Sequence, residues 1–108
     1  MTPAIQIVTT TEKREDAEEI ARMLVDRRLA ACVQVVGPVY STYRWKRNIE
    51  NAVEWQCQIK TGADRYSDVE AAIRAHHPYE VPEIVALPIL QGSRDYLAWL
   101  HQAVRDES

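Results

Sequence analysis

Nowhere in this 108-residue chain does an apolar run approach the roughly 20 residues needed to cross a bilayer. No N-terminal stretch joins basic residues to an apolar core and a cleavage site. The expectation is a protein of the cytoplasm with no membrane partner. Clustered positive charge is lacking too. The formal net charge is -3, and the 13 Lys and Arg residues are spread along the chain instead of gathering on one segment, so no nucleic-acid partner is expected. Cysteine is scarce, with Cys32 and Cys57 far from any CxxC or Cys/His zinc spacing. Both lie within apolar strand patterns, where a thiol stays protonated and packs as a small hydrophobe. The sequence has no GxSxG elbow, P-loop, Rossmann fingerprint or HExxH, and His101 has no evident nucleophile to serve. An enzyme is therefore not expected.

What is present is ordinary globular material, 46% hydrophobic and 27% charged, enough for one domain over residues 1–108. AIQIVTT (Ala4 to Thr10) reads as a first strand ending in threonines suited to capping a helix. From Lys13 to Leu29, the residues Ala17, Ile20, Ala21, Leu24 and Val25 keep helical spacing, which predicts an amphipathic helix with one apolar stripe. Ala31 to Trp45 is rich in β-formers and interrupted by Gly37-Pro38, a pair that predicts a bulge or bend. In NAVEWQCQIKT, Val53, Trp55, Cys57 and Ile59 alternate with Glu54, Gln56, Gln58 and Lys60, the period of a strand with one buried face. Lys46-Arg47-Asn48 is the expected turn of a hairpin whose arms, more than ten residues each, outrun the core of a small domain.

A second helix is expected over Ala63 to His76, stopped by Pro78 because the residue before proline is pushed out of helical geometry. Pro82 to Leu90 reads as a fourth strand whose near-continuous apolar character implies burial on both faces. A last helix starts at the N-cap Ser93 and carries Tyr96, Leu97, Leu100 and Val104. The order βαββαβ plus a terminal helix predicts an α+β, ferredoxin-like fold with both main helices on one face of the sheet. One sheet face is then left bare while the fourth strand reads as buried. A homo-oligomer resolves the conflict.

The candidate site is the pair His76-His77. Imidazole suits copper, zinc and nickel, and Pro78 breaks the helix between the two rings so that they need not diverge. The alternative is a capping role, since histidines at a helix C-terminus interact favourably with its dipole and last carbonyls. Tyr79, Glu80 and Glu83 flank the pair. Glu50, Glu54 and Lys60 lie on the hairpin, where Glu54 and Lys60 read as solvated or as salt-bridged at an interface. Trp45, Trp55 and Trp99 read as core and interface packing, with nothing basic interleaved for a nucleic-acid platform.

Five segments in order resemble the CutA family, named for divalent-cation tolerance. They are LAACVQVVGPVYSTYRW (Leu29 to Trp45), Glu50 with Glu54, IKT (Ile59 to Thr61), HHPYEVPEIVALPI (His76 to Ile89) and YLAWL (Tyr96 to Leu100). The resemblance implies a homotrimer with hairpins reaching across subunit boundaries, and a fold and assembly like those of the PII signalling proteins. It also implies a role in divalent-metal tolerance, with copper bound by the two histidines of HHPY and a cysteine of the first strand. Carried over, the metal residues are His76 and His77. The cysteine position falls at or beside Thr9, and a threonine hydroxyl is a poor ligand for a soft metal. Arg47 stands where the family's hairpin turn usually has glycine. The alternative function is a PII-like regulatory scaffold holding a small molecule or a partner protein at the subunit clefts.

Overall fold

A computed structural model describes residues 2–105. Strand β1 is Ala4–Thr11, helix α1 Arg14–Asp26, strand β2 Cys32–Trp45 and strand β3 Asn48–Gly62. A single 3-10 turn, Ala63–Arg65, leads into α2 (Tyr66–His76), followed by β4 (Val85–Pro88) and α3 (Arg94–Ala103). The four strands form one sheet in the order β2-β3-β1-β4, antiparallel throughout, which is the ferredoxin-like topology expected from the element order.

Helices α1 and α2 cover one face. Ile7, Cys57 and Ile59 from the sheet meet Ala17, Ile20 and Leu24 of α1 and Val69 and Ile73 of α2, all almost fully buried. Helix α3 closes a smaller cluster in which Leu100 and Val104 pack with Ala4 and Ala31. The Arg65 guanidinium donates to the carbonyl of Val104, tying the start of α2 to the end of α3.

The first helix is shorter than its apolar spacing suggests. It ends at Asp26 because Arg28 turns into the left-handed region (φ 58°), where its amide N–H reaches Val25 O and the Leu29 N–H reaches Leu24 O. That pair of bonds closes a Schellman motif with arginine where glycine is usual. At the other end the cap is Lys13, without a side-chain bond, while the Thr11 hydroxyl donates to the Lys13 carbonyl. Ser93 caps α3 as expected, its hydroxyl oxygen accepting the Tyr96 N–H at 3.3 Å.

The hairpin bears out both its length and its bend. Val36 pairs with Gln56 and Val39 with Glu54, so Gly37 and Pro38 together face Trp55 in a bulge. Glycine is required there, because a Cβ at position 37 would lie 2.4 Å from the Trp55 ring. The turn is two residues long, Trp45 pairing with Asn48, and both Lys46 (φ 48°) and Arg47 (φ 75°) are left-handed, as a type I′ turn demands. Fourteen residues of β2 at about 3.3 Å each account for the molecule's 45 Å long axis.

The fourth strand departs from expectation. It spans four residues instead of nine and is exposed along its length, Val85 at 46% and Leu87 at 49%. Among the described residues it pairs on one edge only, with β1, and no strand covers its other edge. Alternation along β3 also fails towards the hairpin tip, where Val53 is exposed beyond the reach of the helices and Glu54 is buried.

Candidate functional site

The site forms where α2 stops. Pro78 drives His77 out of helical geometry to φ -81°, ψ 132°, so the two imidazoles leave the helix end in different directions. His76 is exposed. Its Nδ1 lies 3.0 Å from the Ala72 carbonyl one turn back. A carbonyl oxygen only accepts, so Nδ1 carries a proton there, and no hydrogen bond engages Nε2 among the described residues.

His77 is buried. Its Nε2 donates to the Thr10 carbonyl on β1 at 2.7 Å, and its Nδ1 accepts the Tyr79 backbone N–H at 3.1 Å. Both ring nitrogens are thus engaged in a neutral imidazole, which satisfies a buried polar group at each end. The Tyr79 ring packs against His77 with centroids 4.7 Å apart. Tyr79 in turn donates its hydroxyl to Glu54 Oε2 at 2.7 Å. A hydrogen bond from a neutral hydroxyl to a carboxylate is stronger than one between neutral groups, about 1.5–3 kcal/mol. Burial, and then the Glu54 carboxylate that accepts its hydrogen, push the Tyr79 phenol well above its ordinary range, so it remains a donor at neutral pH. Glu54 reads as solvated or as salt-bridged at an interface from its strand position. It is instead buried, because the loop after α2 folds back and lays Tyr79 over it.

Of the residues singled out in the sequence, the fold brings together His77, Tyr79 and Glu54, with the Thr10 carbonyl as an unforeseen fourth member. Others stay apart. Glu50 is exposed near the hairpin tip, paired across the strands with Tyr43. Lys60 stands six residues from Glu54, about 20 Å along β3, and donates to Gln34 at 2.9 Å. Thr9 is fully buried beneath the helices opposite Cys57, and its hydroxyl has no hydrogen-bond partner among the described residues. Of Thr9 and Thr10, it is Thr10 whose carbonyl oxygen meets His77. Cys57 is equally buried, its thiol pushed up to about 11 by burial, and Cys32 and Cys57 are both free thiols. Neither a thiolate nor a Thr9 oxygen accompanies the histidines, so the donor set fits a borderline cation that accepts imidazole, not a soft ion that needs sulfur. Among the described residues, no three His, Cys, Asp or Glu side chains group as a metal holder.

The sheet-and-hairpin architecture recurs in known proteins. A divalent-cation tolerance protein CutA of Thermus thermophilus is 42% identical over 96 residues, covering 89% of this chain and 93% of that protein. Protein CutA of Mus musculus is 41% identical over 99 residues, which is 92% of this chain but 56% of the mouse sequence. The solved structure of the Thermus thermophilus divalent cation tolerance protein superposes with a TM-score of 0.92 at 39% identity, covering 94% of this chain and 99% of that one. The model of the family described as CutA1 divalent ion tolerance protein matches residues 5–103. With that match spanning nearly every element from β1 to α3, the chain belongs to the CutA1 divalent ion tolerance family.

Proposed function

We propose that this protein is a cytoplasmic homotrimer, one domain per chain, that binds divalent cations such as copper at the end of α2 and so contributes to metal tolerance, without catalysing a reaction. The observation that carries this reading is the state of His76. Its ring is oriented by a backbone carbonyl through Nδ1 and the residue is exposed, the arrangement in which a histidine usually ligates a metal. His77 is the second imidazole of the proposed site, and it ligates once its own hydrogen bonds are given up. The tolerance role is supported by family membership.

Calorimetric titration of the full chain with copper and with zinc tests the proposal. Binding in the micromolar range that His76→Ala abolishes is the expected result. No binding tighter than about millimolar would sink it.

The second reading is a PII-like regulatory trimer with a small molecule or partner protein at its subunit clefts. It is favoured by the lack of a three-residue metal group among the described residues of one chain. Its mark would be protection of the sheet face by nucleotides or small anions in hydrogen exchange, with cation affinity indifferent to His76.

A further inference from the structure

We propose that the groove between α1 and the open edge of β2 is a docking site for an extended segment of another protein, apolar at its centre and basic on either side. Nothing in it depends on a cation at the end of α2. The starting point is a mismatch between helix and sheet. Ala17, Ile20, Ala21, Leu24 and Val25 form one apolar stripe on α1, yet the fold buries only Ala17, Ile20 and Leu24. Ala21 stays half-buried and Val25 is 44% exposed. These two lie one turn apart on a single flank of the helix. Val33 and Val35 of β2 meet them there, lining an open groove of about 800 Å³. The stripe is wider than the sheet it covers, so apolar surface that full burial would reward is left over.

Beside the groove the fold supplies a free strand edge. From Cys32 to Val36, β2 pairs with β3 on one side, and among the described residues no strand lies on the other. Alternate N–H and C=O groups of this stretch therefore point away from the sheet with no strand to receive them. The bulge at Gly37 and Pro38 ends the stretch and separates it from the hairpin arm beyond Val39, which is left for contacts between subunits. An extended chain laid along Cys32 to Val36 completes the ladder and turns every second side chain into the groove.

Charge selects the occupant. Glu18, Glu19 and Asp26 rim the groove against a single cation, Arg22. Arg14 lies 3.8 Å from Glu18, while Glu19 and Asp26 have no ion pair among the described residues. Glu18 and Asp26 stand about 12 Å apart along α1, the span of about four residues in a strand. Two basic residues at that spacing with an apolar one midway fit both the rim and the floor. A second copy of this chain offers the wrong chemistry. Its largely exposed segment from Val81 to Leu90 carries Glu83 and no Lys or Arg, so seating it would set carboxylate against carboxylate. Pro82 and Pro88 within it have no N–H to give to the edge.

The probe is an end-blocked, fluorescein-labelled threonine peptide in which lysine, valine and lysine occupy alternate positions. Fluorescence anisotropy with the full chain at low salt should show saturable binding tighter than about 1 mM. Replacing both lysines of the peptide by glutamate should weaken binding by about tenfold or more. The Glu19→Lys, Asp26→Lys double variant, which changes two exposed side chains, should reverse that preference while circular dichroism shows the fold retained. N-methylation of alternate peptide amides should abolish binding in one frame and spare it in the other, because an added strand turns only half its donors to β2. Hydrogen exchange should slow at Cys32 to Val36 when the peptide binds. Absence of binding at millimolar peptide, equal affinity for the lysine and glutamate peptides, or indifference to the charge reversal would overturn the proposal. Outward amides of Cys32 to Val36 that are already protected in the protein alone would assign the edge to a second copy and overturn it as well.

Discussion

Thr9 shows how much one side chain can carry without being legible. Its place in an apolar strand announces burial, and the fold puts it at 0% exposure between β3 and α1. What the sequence does not disclose is that its hydroxyl finds no partner there among the described residues, a matter of angstroms within the core. A buried hydroxyl without a hydrogen bond costs about 1–3 kcal/mol relative to an apolar group of the same shape. Thr9→Val keeps the branched shape and removes the oxygen. Its expected effect is a gain in stability of about 1 kcal/mol in urea unfolding at an unchanged slope. A loss of stability would mean that the hydroxyl is satisfied, by water or by motion of its neighbours. Cys57, opposite it, follows the same logic of burial: its raised thiol favours the neutral form in the fold. That contribution to stability is complete below the ordinary thiol range and declines as pH rises towards about 11.

At the scale of elements, periodicity disclosed more than composition did. The helical spacing of Ala17, Ile20 and Leu24 and the alternation of Cys57 and Ile59 each identified a face that is buried in the structure. Gly37-Pro38 located the bulge, and Pro78 located the end of α2. Boundaries were less legible where backbone geometry overrode pattern, as at Arg28, whose left-handed turn stops α1 while apolar spacing continues to Leu29. The burial of Glu54 is illegible for a different reason. Strand period assigns a side, but burial on that side came from Tyr79, a contact across 25 residues that no local signal encodes. The hairpin turn gives an element-scale test. Arg47 occupies the second left-handed position of a type I′ turn at φ 75°, where glycine has no Cβ to strain. Arg47→Gly should stabilise the protein by about 0.5–1 kcal/mol, less the added flexibility of the unfolded chain. Thermal melts with the midpoint raised by a few degrees would agree. A lowered midpoint would show that the arginine side chain contributes more than its backbone costs.

For the whole molecule, the question is what a sheet with one covered face does with the other. Leu87 and Val85 stand in register with Gln6 and Val8 on the side away from α1 and α2, and both are about half exposed. Val81 and Leu90, in the segments flanking β4, are exposed at 66% and 87%, and Tyr40 on the opposite edge strand β2 at 82%. So much apolar surface on one small chain is characteristic of an interface, and the open edges of β2 and β4 add unpaired backbone groups to it. The apolar run from Pro82 to Leu90 has the composition of a buried strand, and in one chain it is not buried. The two facts agree if copies of the chain supply the missing cover. Sedimentation at micromolar concentration should then give three times the 12.4 kDa chain mass. Leu87→Asp places a charge on the bare face without touching the helix-covered core, and a buried unpaired charge is not tolerated at an interface. That variant should run as a smaller species with its helix and strand content retained in circular dichroism. A wild type that sediments as a single folded chain would refute the assembly. A Leu87→Asp protein that remains at full size would show that the subunits meet elsewhere than on this face.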